Sequence, residues 1–246
     1  MMNSDNHDIL IIPDVHGRTF WKSAVESEAF GTIVFLGDYV DPYPSEGIDN
    51  PAALNNFREI IAYAECHDNV VLLLGNHDMH YYSKQFASLA MSSRYWYAGD
   101  FLIIEQFTNH SSLFSLAWET TLNGHHYLLT HSGVCGAWLK ANRETIGTPD
   151  AEHLNRLLDS DDGIRALANV SRRRGGFHAG GSIVWGDINE LQADNGLPDV
   201  YQIFGHTQQR ESPVITDQMA CLDVRRAFVL REGQAGVAPQ ELNPQQ

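Results

Sequence analysis

Five short apolar runs in this 246-residue chain each end in side chains able to hold a cation or move a proton. Asp14 and His16 follow residues 9–13, Asp38 follows residues 33–36, and Asn76, His77 and Asp78 follow residues 70–74. His131 follows residues 127–130, and His206 follows residues 200–204. In an extended turn, residues two apart point the same way, so Asp14 and His16 can hold one ion together. Carboxylate, amide and imidazole donors without thiolate suit manganese, iron or zinc. Six donors exceed the needs of one four-coordinate ion. A carboxylate shared by two ions about 3.5–4 Å apart resolves the excess, and Asp38, between the two groups in sequence, is the expected bridge. Taken singly, each histidine reads as a hydrogen-bonded core or surface residue, and each polar cluster as a loop. Their recurrence at five strand ends argues otherwise.

The elements that position these groups follow from hydrophobic patterning. Residues 70–74, VVLLL, read as a strand buried on both faces, and Asn76, His77 and Asp78 leave its carboxyl end, where α/β sheets build their sites. Apolar runs at 9–13, 33–36 and 70–74 alternate with helical patterns at 19–30 and 52–65, which predicts βαβ units and parallel strands. Residues 79–124 are dense in aromatics and predict mostly helices with connecting loops. A strand at 127–130, a helix over 151–170 and a strand at 200–204 follow. Short strands at 214–215, 220–224 and 227–230 predict an antiparallel meander. Residues 232–246, rich in Gln, Pro and Gly, predict a disordered tail.

At 43% hydrophobic content the chain can bury one large core, so a single domain over residues 8–231 is expected, with 79–124 as an insert. A net charge of −15 argues against a nucleic-acid duplex as partner. The three cysteines, Cys66, Cys135 and Cys221, are odd in number and far apart, which predicts reduced thiols and a cytoplasmic location. No signal segment opens the sequence, and no apolar run is long enough to span a membrane.

Asp14-Val15-His16-Gly17, Gly37-Asp38-Tyr39-Val40-Asp41, Gly75-Asn76-His77-Asp78, His131-Ser132-Gly133 and Gly205-His206-Thr207, in that order, resemble the motifs of the calcineurin-like metallophosphoesterases. The resemblance implies a four-layer α/β sandwich, two mixed β-sheets face to face with helices on both outer sides. It implies one divalent ion on Asp14, His16 and Asp38, and a second on Asp38, Asn76, His131 and His206, with manganese foremost and iron or zinc as alternatives. A hydroxide between the ions would attack phosphorus in line while both ions neutralise the phosphoryl oxygens. His77 is then the candidate general acid, and the resemblance suggests Asp41 to orient it. Read without the resemblance, Asp41 is a turn former before Pro42.

Gly205-His206-Thr207, with no further histidine, is similar to the phosphoprotein phosphatase branch, which includes bacterial and phage enzymes and diadenosine tetraphosphate hydrolases. Residues 182–187 are similar to a tryptophan-bearing segment of that branch, although Trp185 alone reads as a core residue. Two departures stand out. Asp41-Pro42-Tyr43 replaces the usual Asp-Arg-Gly, and Asp78 replaces a usual Glu. The phosphate clamp must therefore come from elsewhere or be absent; Arg172, Arg173, Arg174 and Arg18 are the candidates, and the arginine run also reads as a solvated helix end. His80 reads as a surface residue that could reach the cleft rim. The expected function is hydrolysis of phosphomonoesters, on a phosphoprotein as first substrate class. Dinucleoside polyphosphates or other nucleotides come second, with Trp96, Trp118 or Trp185 to stack a base. A protein-binding scaffold on the same fold is the non-enzyme alternative.

Overall fold

The computed structural model describes residues 6–243. Strands β1 (Ile9–Ile12), β2 (Thr32–Phe35) and β3 (Val70–Leu73) lie parallel and adjacent, as expected. Their nearly unbroken apolar sequence follows from burial on both faces. Leu10, Ile12, Ile33, Phe35 and Leu72 pack towards Trp21, Phe57 and Ile60 of helices Phe20–Ser27 and Asn50–Cys66. Ile9, Ile11, Val34 and Leu73 point the other way, into a cluster shared with the second sheet. The longer helix begins where the Asp49 carboxylate accepts the Ala52 N–H at 2.8 Å, with Pro51 in its first turn.

Strand β4 (Phe114–Ser115) extends the first sheet beside β3. The second sheet holds β5 (Ala117–Leu122), β6 (His125–Thr130), β7 (Tyr201–Phe204), β8 (Val214–Ile215) and β9 (Met219–Cys221), in the order β5-β6-β7-β9-β8. Strands β10 (Phe228–Leu230) and β11 (Gln240–Glu241) return to the first sheet, whose order is β11-β10-β1-β2-β3-β4. Both sheets mix parallel and antiparallel pairs. Tyr127, Leu129, Tyr201, Ile203 and Leu222 meet the inner residues of the first sheet, and helices flank the outer faces. This is the four-layer sandwich expected from the motifs.

Several elements depart from expectation. The 79–124 segment carries helices Lys84–Leu89 and Asp100–Asn109, but also β4, β5 and the turn that leads into β6. Strand β5, AWETTL, is an edge strand with its middle residues half-buried, so its apolar signal is weak. The helix expected over 151–170 is broken into Ala151–Asn155, a tight turn at Arg156–Asp159, and Asp161–Leu167. The break falls at Ser160, whose side chain accepts the Gly163 N–H at 3.1 Å and caps a new helix. The late strands do not form a meander: β9 lies parallel to β7, and β10 crosses to the other sheet, antiparallel to β1. Short helices at Gly136–Ala141, Arg143–Ile146 and Ile188–Ala193 had no clear periodicity. Residues 232–243 are not a structureless tail, because Gln240–Glu241 pair with β10 and Leu242 is buried.

Candidate active site

The carboxyl ends of β1, β2 and β3 meet those of β6 and β7 along one seam, which gathers all six donor residues. Backbone bonds zip the turns: the His16 N–H donates to Asp38 O (2.6 Å) and the Gly205 N–H to His131 O (2.9 Å). Two further bonds tie sheet to sheet. His131 Nδ1 donates to Leu36 O at 2.8 Å, and the His206 N–H meets both carboxylate oxygens of Asp14 at 3.0 Å. Only glycine allows such close approach here: a Cβ on Gly205 would stand 1.9 Å from Asp14 Oδ2, and one on Gly75 would stand 2.1 Å from Asp38 Oδ1. Four of the six non-glycine residues with positive φ, among the described residues, are His16 (45°), Asp38 (54°), Asp41 (56°) and His206 (62°). Such backbone costs about 1–3 kcal/mol per residue and concentrates where function requires it.

Two donor groups form, Asp14–His16–Asp38 and Asp38–His131–His206, each with its donor atoms within 4.8 Å of one another. Asp38 belongs to both: its Oδ2 lies 3.4 Å from His16 Nε2 and 3.5 Å from His131 Nε2. The other oxygen, Oδ1, accepts the His77 N–H at 3.0 Å. His16 Nδ1 donates to Val40 O at 2.9 Å, which leaves its Nε2 lone pair free for the group. His131 Nε2 faces both Asn76 Oδ1 and His206 Nδ1 at 3.1 Å, while the buried His206 Nε2 has no hydrogen-bond partner. Burial pushes the His16 and His206 imidazoles well below the usual range, so both are neutral ligands. Burial pushes the Asp38 carboxyl up, but the imidazoles around it, His131 first and then His77, outweigh it and hold the group ionised. Converging buried lone pairs around a shared carboxylate fit two divalent cations.

His77 stands at the start of helix Asn76–Tyr82, beside the shared carboxylate. Its Nδ1 donates to Asp41 Oδ2 at 2.7 Å, and the Tyr81 hydroxyl donates to Asp41 Oδ1 at 2.5 Å. Asp41 is thus more than a turn former: its buried carboxylate is fully engaged. Asp78 receives the N–H groups of Asp38 (2.6 Å), Gly75 (2.8 Å) and Tyr39 (3.0 Å), and so locks the second and third motif turns together. Asp78→Ala is expected to lower the unfolding free energy by at least about 3 kcal/mol, because three buried N–H groups lose their acceptor. Urea denaturation of the metal-free protein reads this directly.

The residue that sequence reasoning missed is Arg94. Its Nη2 lies 3.0 Å from His77 Nε2 and 3.4 Å from His16 Nε2, its Nε donates to Asp41 O at 3.1 Å, and its guanidinium stacks 3.8 Å over the Tyr43 ring. It lines a cleft of about 250 Å³ with His16, Asp38, His77, Trp185 and Arg174. Of the candidate clamp residues, only Arg174 enters this cleft, held by Thr207 Oγ1 (2.6 Å) and Asp187 (3.2 Å). Arg172 and Arg173 stand away from it. Arg18 is buried in a bidentate pair with Glu46 (2.7 and 2.9 Å) and donates to Asp14 O, so it braces the first motif. Arg94→Ala is expected to lower kcat/KM on a phosphomonoester by about 10²-fold, as for loss of one charge-stabilising donor. Arg173→Ala, in the same assay, is expected to leave it unchanged.

Two further residues differ from expectation. His80 is a buried residue, not a surface one, and bridges Asn76 O (2.6 Å) and Ala90 O (3.0 Å). Trp185 is only half-buried and lines the cleft edge-on to His206, with its Nε1 unpartnered. Trp118 packs against the inter-sheet cluster, and Trp96 does not line the cleft.

No curated protein matches this chain. Among solved structures, similarity extends to hypothetical protein PH1004 from Pyrococcus horikoshii OT3, at 12% identity and a TM-score of 0.37, over 51% of this chain and 55% of that chain. It also extends to a metallophosphoesterase from Sphaerobacter thermophilus, at 12% identity and a TM-score of 0.44, over 97% of this chain and 89% of that one. The family model described as calcineurin-like phosphoesterase matches residues 7–210, a span that includes all six donor residues, His77, Asp41 and Arg94. The chain therefore belongs to the calcineurin-like phosphoesterase family and is a metal-dependent phosphoester hydrolase.

Proposed function

We propose that the protein hydrolyses phosphomonoesters at a dinuclear centre, with a phosphorylated protein as the substrate class. The observation that carries this reading is the Asp38 carboxylate, whose Oδ2 is shared by both donor groups at 3.4 and 3.5 Å. Asp14, His16 and Asp38 would hold one cation, and Asp38, Asn76, His131 and His206 the other. Bound there, two divalent cations supply an activated water and neutralise charge on the phosphoryl oxygens. Manganese is the ion we propose, given oxygen and imidazole donors without thiolate.

Arg94 and Arg174 come from different segments and face the same cleft, so together they can clamp one phosphoryl group. They replace the arginine that the Asp41-Pro42-Tyr43 sequence lacks. His77 would protonate the leaving oxygen through Nε2, with Asp41 holding Nδ1 and Tyr81 holding Asp41. The Arg94 guanidinium now rests against that Nε2. A bound phosphoryl group is a stronger acceptor and would draw the guanidinium away, leaving Nε2 open to take up the proton that it then passes to the leaving oxygen, with Asp41 stabilising the imidazolium.

His206-Thr207 without a further histidine, and Trp185 beside His206, support the phosphoprotein phosphatase-like branch. Trp185 in the cleft wall also keeps a nucleotide as the second reading. The unpaired cysteines, two of them buried, support a cytoplasmic location. No helix among the described residues is long and apolar enough to cross a membrane. The test is phosphate release by metal-stripped protein resupplied with Mn²⁺, on an aryl phosphate, a phosphopeptide and diadenosine tetraphosphate. Turnover restored by Mn²⁺ on the first two supports the proposal. Turnover confined to the dinucleotide would replace it with the second reading.

A further inference from the structure

Beside the reaction cleft lies a second one of about 230 Å³, lined by Met91, Tyr95 and Tyr97 with Ala87 and Ala90, and with Asp100 at its edge. We propose that it binds a large apolar side chain flanking the phosphorylated residue of a protein substrate. This inference rests on the phosphatase reading above and specifies what that site selects.

Position comes first. Met91 lines both clefts, and Ser92, a wall of the second, places its hydroxyl 3.4 Å from His77 Nδ1. His80, one helical turn beyond His77, closes the inner end. A side chain lodged here therefore belongs to a near neighbour of the phosphorylated residue in an extended chain, which advances about 3.3–3.6 Å per residue.

Chemistry decides the occupant. Ala87 and Ala90 leave space that larger residues would fill. Tyr95 is fixed by stacking on Tyr81 (4.4 Å between centroids) and by its hydroxyl on Asp100 (3.2 Å), so its polar end is already engaged. Met91 and Tyr97 are 90% and 80% exposed, large apolar groups with little packing of their own. Leu89 and Phe101, in the same segment, are also exposed. Soluble proteins seldom concentrate such residues without a partner, and methionine adapts to side chains of differing shape. A nucleotide fits less well: the chain carries −15 net charge, which opposes polyanions, whereas a peptide brings one phosphate for Arg94 and Arg174.

The experiment uses the Mn²⁺-loaded full chain with phosphoserine peptides bearing a single Phe at each position from two before to two after the phosphoserine. An all-Ala phosphopeptide, 4-nitrophenyl phosphate and AMP complete the set. One Phe position is expected to raise kcat/KM about tenfold or more over the all-Ala peptide, the discrimination one apolar pocket supplies. Tyr97→Ser, and Ala87→Phe, which fills the cleft, are expected to erase that preference. Turnover of 4-nitrophenyl phosphate should stay within about twofold, since both residues lie outside the reaction cleft. Equal rates on all peptides, or AMP preferred over every peptide, would overturn the proposal. Absence of turnover of 4-nitrophenyl phosphate and of every peptide by the unaltered chain would instead tell against the phosphatase reading, and its loss in the two variants alone would overturn the separation of the two clefts. Fluorescence anisotropy of the same peptides on metal-free protein then tests the cleft without turnover, and equal affinity for Phe and Ala peptides would overturn it.

Discussion

Asp38→Asn is expected to reduce bound Mn²⁺ from two ions per chain to one or fewer. Phosphomonoester turnover should fall by more than about 10³-fold with it. Asparagine keeps the oxygen that accepts the His77 N–H, so the turn can persist. What it loses is the charge at Oδ2, the atom between His16 and His131. Neutral His16 and His206 contribute no charge of their own, so the Asp38 carboxylate is the anion common to both groups. The fold should survive, because burial and the neighbouring Asp38 charge already work against the Asp14 carboxylate in the metal-free protein. Metal analysis of the purified variant, alongside thermal unfolding, separates these effects. A variant that retains two ions and near-normal turnover would remove Asp38 from the centre of the mechanism.

His77→Ala should show a different signature. Protonation of a leaving oxygen contributes about 10²–10⁴-fold, so turnover of a phosphoserine peptide is expected to fall by that factor. A 2,4-dinitrophenyl ester has a leaving group that departs without a proton, and its turnover should fall by less than about tenfold. Metal content should stay at the wild-type level, since His77 belongs to neither donor group. Tyr81→Phe should give a milder version of the same pattern, because the Asp41 carboxylate loses one of its two side-chain donors but still holds Nδ1. Equal losses on both esters would mean that His77 acts on the phosphoryl group and not on the leaving oxygen.

Read alone, the sequence determined the inner half of this molecule. Strands β1, β2 and β3 are apolar throughout because both faces are buried, and polar residues at their carboxyl ends are local features that spacing exposes. The six candidate donors and His77 stood out for that reason, Asp41 only through the resemblance, and the order of the motifs pointed to the family that the match over residues 7–210 establishes. Edge and terminal elements were harder. Strand β5 carries a mixed, half-buried sequence, and β10 leaves its neighbours for the other sheet, a crossing that no local pattern encodes. Tertiary structure alone decided the arginines. Arg18 follows a motif directly, yet it is consumed by Glu46, 28 residues away. Arg94 sits in the aromatic-rich insert with no motif beside it, yet it reaches His77 and His16 across 17 and 78 residues. A side chain's partners across such distances depend on where the backbone brings each segment, and a charged residue looks the same in sequence whether it is braced, exposed or poised over a reaction centre.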